Sequence, residues 1–155
     1  MKRFCCILAC ALTLFGCAFA EQTVRLPDSR YAVEVPDWMR FRPDPEYPEI
    51  HAYTSEMLEM DYTSYLKTAT LSMDSGKTLR ETVRELADSG AEAELREING
   101  IEMICFRAVD SADGAPCIGY VFEDGDRMIE IDFWYSTQEA ANLTKTIMES
   151  IRAEE

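Results

Sequence analysis

The sequence predicts a single α+β domain: an antiparallel sheet of roughly six to eight strands flanked by two main helices. Three observations carry this. Alternating apolar and polar residues recur in short runs, as in Leu58, Met60, Tyr62, Ser64 and Leu66 between Glu59, Asp61, Thr63 and Tyr65. Turn signals separate the runs, notably Asn99-Gly100 and Asp124-Gly125. Two stretches switch to helical spacing behind a capping signature, Thr78-x-x-Glu81 and Ser136-x-x-Glu139.

The N-terminus precedes that domain as a targeting segment. Lys2 and Arg3 lead into an uncharged apolar run from Phe4 to Phe19, the order found in a secretory signal peptide. Ala18-Phe19-Ala20 has the small-x-small form that a signal peptidase cleaves, so residues 1–20 are expected to be removed and residues 21–155 to form the domain. The alternative is a lipobox: Leu14-Phe15-Gly16-Cys17 resembles that of bacterial lipoproteins and would leave an acylated Cys17 as a membrane anchor. Either route places the domain outside the cytoplasm, and no transmembrane segment is expected once the signal is gone.

Fifteen basic residues against 29 acidic ones leave the 155-residue chain at −14. Without Lys2 and Arg3 the balance is 13 against 29, or −16. Such a charge disfavours nucleic acid, whose binding needs clustered Lys and Arg, and anionic membrane surfaces. A solvated acidic surface is its plainest reading.

The elements follow in order. Thr23–Leu26 and Tyr31–Val35 read as an opening hairpin around Pro27-Asp28-Ser29-Arg30, and Pro36 ends it. Pro43, Pro45 and Pro48 keep residues 40–49 out of a helix or a central strand. Ile50–Thr54 pairs with the strand at 58–66, and a helix runs from Leu79 to Ser89, closed by Gly90. Four strands fill 92–135. Asn99-Gly100 sets Leu95 opposite Ile104, a loop at Asp110-Ser111-Ala112 sets Ile104 opposite Ile118, and Asp124-Gly125 sets Ile118 opposite Ile131. One row of Leu95, Ile104, Ile118 and Ile131 on a single face is therefore expected. Ala140, Leu143, Ile147 and Ile151 stripe the closing helix.

The same register places Cys105 opposite Cys117, within reach of a disulfide suited to an exported protein. No catalytic motif appears. His51 is the one histidine of the sequence and reads as an ordinary strand residue; G-x-S-x-G, phosphate-loop, EF-hand and dinucleotide signatures are missing. No catalytic, cofactor-binding or metal residue is assigned, and the acids at 110–114 and 123–126 are read as turn residues. Met103, Met128 and Trp134 form the candidate patch for a partner, whether protein or small molecule. The function read from this is an exported binding or accessory domain that is not an enzyme. The alternative is a hydrolase using paired carboxylates, since 29 acids can meet in space.

Glu97-Ile98-Asn99-Gly100-Ile101, the strands Ile118–Phe122 and Ile129–Trp134 before a closing helix, and the early Val35-Pro36-Asp37-Trp38 resemble the PsbP-like family. The resemblance implies an antiparallel sheet flanked by helices. That scaffold serves unrelated roles, so it implies no site.

Overall fold

The computed structural model describes residues 20–43, 45, 47–67, 78–110 and 114–154. The signal segment at 1–19 and Cys17 lie outside the described residues.

The chain opens with a hairpin, β1 (Glu21–Arg25) and β2 (Tyr31–Pro36), whose turn holds Asp28 at φ 55°. A short strand β3 (Arg40–Pro43) then pairs with β4 (His51–Thr54), and β4 with β5 (Leu58–Leu66). Pro43 is tolerated because β3 is an edge strand, where a missing N–H breaks no ladder. Helix α1 (Leu79–Asp88) starts on the expected capping box: the Glu81 N–H donates to Thr78 Oγ1, and the Thr78 N–H donates to the Glu81 carboxylate. Four long strands follow: β6 (Glu92–Ile98), β7 (Ile101–Val109), β8 (Pro116–Asp124) and β9 (Arg127–Tyr135). Helix α2 (Gln138–Glu149) is capped by Thr137, one residue later than the sequence predicts, and β10 (Arg152–Ala153) returns to pair with β2.

Two antiparallel sheets result, β1-β2-β10 and β3-β4-β5-β9-β8-β7-β6. The larger sheet is covered on both sides. Helix α1 lies on one face, where Leu79, Val83 and Leu86 meet Tyr65, Ile104, Val121 and Met128. On the other face Met60, Tyr62, Phe122, Ile129, Ile131 and Phe133 pack against α2 and the small sheet, through Ile147, Met148, Val33 and Val35.

The Asn99-Gly100 turn has both residues at positive φ, 52° and 78°, as a type I′ turn requires, and Leu95 does face Ile104. The expected four-residue row fails at the next loop. The β7–β8 connection spans 110–115, closed by the Asp110 N–H donating to the Ala115 carbonyl, so Val109 faces Pro116 rather than Asp113. That slip of three residues is odd, and an odd slip exchanges the faces of the sheet. Ile104 therefore faces Val121 under α1, while Ile118 faces Arg107 and Phe133 on the α2 side. The last hairpin closes on Asp124 and Arg127 with Gly125-Asp126 as its loop, only Gly125 having positive φ; this shift of two preserves the faces.

The disulfide expectation falls with the row. Cys105 faces Tyr120 on the α2 side, and Cys117 faces Ala108 and Trp134 on the α1 side; both are buried free thiols. A side chain cannot cross the sheet to bridge them.

Candidate functional site

The partner patch suggested by the sequence is dismantled by the same register. Met103 is fully buried on the α2 face, Met128 is buried under α1, and Trp134 is half-buried on the α1 face beside Cys117 and Glu59. These three share no surface.

A groove of about 730 Å³ lies instead between α2 and the β6-β7-β8 corner of the sheet. Alternation along the strands points Glu94 and Arg96 of β6, Cys105 and Arg107 of β7, and Ile118 and Tyr120 of β8 to this side. Helix α2 supplies the opposite wall with Ala141, Asn142, Thr144 and Lys145. Those positions fall on neighbouring helical rows, and the small Ala141 and Thr144 at the contact leave the space unfilled. The hydroxyls of Tyr120 and Thr144 meet in a hydrogen bond across it, and burial raises the Tyr120 phenol. Thr144 also donates to the Ala141 carbonyl at 2.9 Å.

The charges around this groove are unevenly occupied. The Arg96 Nε donates to Glu94 at 2.7 Å, and Lys145 pairs with Glu149 at 3.5 Å. Exposed Arg107 has no hydrogen-bond or ion-pair partner among the described residues, although Glu92 stands opposite it in the ladder. Burial pushes the Cys105 thiol at the base up to about 11, against the lowering influence of Arg96, which favours the thiol over the thiolate.

A second cluster lies on the α1 face. Asp61 of β5 and Asp132 of β9 are directly opposed, with Glu130 two residues along β9. The Oδ1 atoms of both aspartates are buried, and that of Asp132 has no hydrogen-bond partner among the described residues. Asp132 fits because Gly119 stands opposite it: a Cβ there would strike the Phe106 ring and come within 2.5 Å of Asp132 Oδ1. Burial, then the charges of Glu130 and Asp61, raise the Asp132 carboxyl from 3.8 to about 8. The 730 Å³ groove does not include this pair.

The remaining sequence features have structural roles. His51 stacks on Phe41 at 6.1 Å and tilts against Tyr62 at 6.0 Å. Asp124 accepts from Ser29 Oγ at 3.0 Å and the Arg30 N–H at 2.9 Å, pinning the β1–β2 turn to the β8–β9 hairpin. Glu123 pairs with Lys67 at 2.7 Å. Among the described residues no group of three or more His, Cys, Asp or Glu could hold a metal ion, and no helix is long and apolar enough to cross a membrane. Sequence reasoning missed Arg107, Tyr120 and Thr144. Thr144 carried the one available signal, a polar residue between Leu143 and Ile147 in the apolar stripe of α2.

The architecture has a known counterpart. The chain superposes on cyanobacterial PsbP (CyanoP) from Synechocystis sp. PCC 6803 with a TM-score of 0.60 at 12% identity, over 86% of this chain and 92% of that one. The fold is PsbP-like. A crystal structure from Bacteroides thetaiotaomicron superposes on this chain with a TM-score of 0.53 at 11% identity, over 81% of this chain and 46% of that longer one. No protein-family model and no curated protein matches the chain. Identities this low establish the PsbP-like fold alone.

Proposed function

We propose that this PsbP-like chain is an exported binding or accessory domain whose ligand lies in the groove between α2 and strands β6–β8. The observation that carries the reading is Arg107, an exposed guanidinium with no partner among the described residues, beside a groove of about 730 Å³. That volume suits a small molecule, and a guanidinium in a partly apolar concavity favours a carboxylate or phosphate group on it. Tyr120, Thr144 and Asn142 add hydroxyl and amide groups that orient a bound molecule. Export rests on the signal-like residues 1–20.

The test is a titration of the isotopically labelled protein with a fragment set of small carboxylates and phosphates, followed through amide chemical shifts. Shifts concentrated at Arg107, Tyr120 and Thr144, and abolished by Arg107→Ala, are expected. Fragments that perturb Asp61 and Asp132 instead, leaving the groove amides unmoved, would reject the groove.

The carboxylate pair supports the second reading, a hydrolase. Asp132 with its raised pKa has the acid form a proton donor needs near neutral pH, and Asp61 stands beside it. The two lie on the opposite face of the sheet from the groove and outside its lining, which is why the binding reading is preferred.

A further inference from the structure

The two edges of the large sheet are treated differently. Strand β3 is four residues long and ends in Pro43, which blunts that edge. Strand β6 has seven residues, without Pro, Gly or Lys, and pairs with β7 in unbroken register from Glu92 to Ile98 without a bulge. It is also held firmly. Asn99 in its turn donates from Nδ2 to the carbonyls of Glu149 and Ile151 at 2.8 and 2.9 Å, tying the hairpin to the end of α2.

The type I′ turn determines which backbone groups face outward. Such a turn closes on a hydrogen-bonded pair, so Ile98, Arg96, Glu94 and Glu92 spend their N–H and C=O groups on β7. Ala93, Leu95 and Glu97 point theirs away from β7. No strand among the described residues pairs with them.

We infer that β6 is a self-pairing edge, at which a second copy of this chain adds its own β6 antiparallel and joins the two large sheets into one. The sequence Glu94-Leu95-Arg96 is self-complementary in that arrangement. With Leu95 opposite Leu95 of the second copy, Ala93 meets Glu97 and Glu97 meets Ala93, each pair exchanging both main-chain bonds. Glu94 and Arg96 then occupy the close, non-hydrogen-bonded positions, where facing Cα atoms are about 4.5 Å apart. Each Glu94 meets the Arg96 of the other copy, so one pairing yields two opposite-charge contacts related by the two-fold axis. Another partner's strand needs a matching acid and base at this spacing; a second copy carries them already. Glu94 and Arg96 also border the groove and pair with each other within one chain, so the backbone variant Glu97→Pro, whose residue does not line the groove, separates failure of the edge from failure of the groove reading.

Sedimentation velocity over a range of concentrations tests it, with thermal melting to confirm folding. The wild-type protein is expected at twice the chain mass. Arg96→Glu sets like charges face to face and is expected to return it to one chain mass, while the swap Glu94→Arg with Arg96→Glu restores the dimer. Both side chains are more than half exposed, so the fold tolerates the exchange. Glu97→Pro, which removes an N–H that β7 does not use, is expected to give a folded monomer. A wild-type protein that stays at one chain mass at every concentration overturns the inference and leaves the edge for a different chain's strand. A dimer that survives both Arg96→Glu and Glu97→Pro, or a swap that fails to restore it, overturns it equally.

Discussion

Replacing Phe122 by Ala is expected to destabilise the protein by about 3–5 kcal/mol, the usual cost of deleting a fully buried ring. Phe122 has no solvent exposure and sits on the α2 face of β8. Its ring meets Tyr31 of β2 edge-on at a centroid distance of 5.6 Å, so it links the large sheet to the small one. An edge-to-face contact adds about 0.5–1.5 kcal/mol beyond the area it buries. Neither neighbour can collapse easily into the space, because Met103 and Ile129 beside it on the same face are themselves fully buried parts of the strands. Denaturant unfolding checks this: a lower midpoint at unchanged slope is expected. A loss below 1 kcal/mol would mean that the two sheets are not packed through this ring.

Replacing Asp132 by Asn is expected to act in the opposite sense and to stabilise the protein near neutral pH. The folded-state pKa of about 8 lies above the ordinary 3.8, so the folded form holds a proton that the unfolded form has released. Between those values the unfolded state binds fewer protons, and stability falls as pH rises from about 4 to about 8. Asn keeps the shape of the protonated acid without that dependence. A gain on the order of 2–4 kcal/mol at pH 7 follows from the size of the shift. The wild-type and variant curves should converge towards pH 4. Parallel curves across that window would show that Asp132 ionises normally, and would remove the support for the second, hydrolytic reading.

Much of the fold was legible in local signals. The capping box of α1, the type I′ turn at Asn99-Gly100 and the alternation of β5 from Leu58 to Tyr62 each depend on residues within a few positions and reappear in the structure, whereas at the end of β5 Tyr65 is buried in the cluster with Leu79 of α1 and Leu66 is exposed. The resemblance to the PsbP-like family, drawn from the strand segments and Val35-Pro36-Asp37-Trp38, agrees with the superposition on CyanoP. The register of β7 on β8 was not legible, for a physical reason. Strand β8 is buried continuously from Cys117 to Phe122, because α1 covers one face and α2 the other. A strand buried on both sides has no alternation to say which face is which. Its register then hung on the length of one loop, and 110–115 is three residues longer than the turn residues at its start suggest.

The functional residues suffered from the same gap. Once Ile118 and Tyr120 move to the α2 face, they wall the groove with Cys105 and Arg107, and Cys117 passes to the other side with Asp132 and Trp134. The carboxylate pair was foreseen only as a class. Nothing local to Asp61 or Asp132 marks them as neighbours, since the β5–β9 pairing joins residues 71 positions apart.

The assignment of faces on β7 and β8 underlies both the groove and the acid pair, and the two cysteines report on it directly. Peptide mapping of the protein held folded under mildly oxidising conditions, then unfolded without reductant directly into excess alkylating agent, measures whether Cys105 and Cys117 are joined. Opposite faces predict that both appear as separately alkylated thiols. A single peptide pair linked through Cys105 and Cys117 would contradict the register, and with it the groove that the register builds.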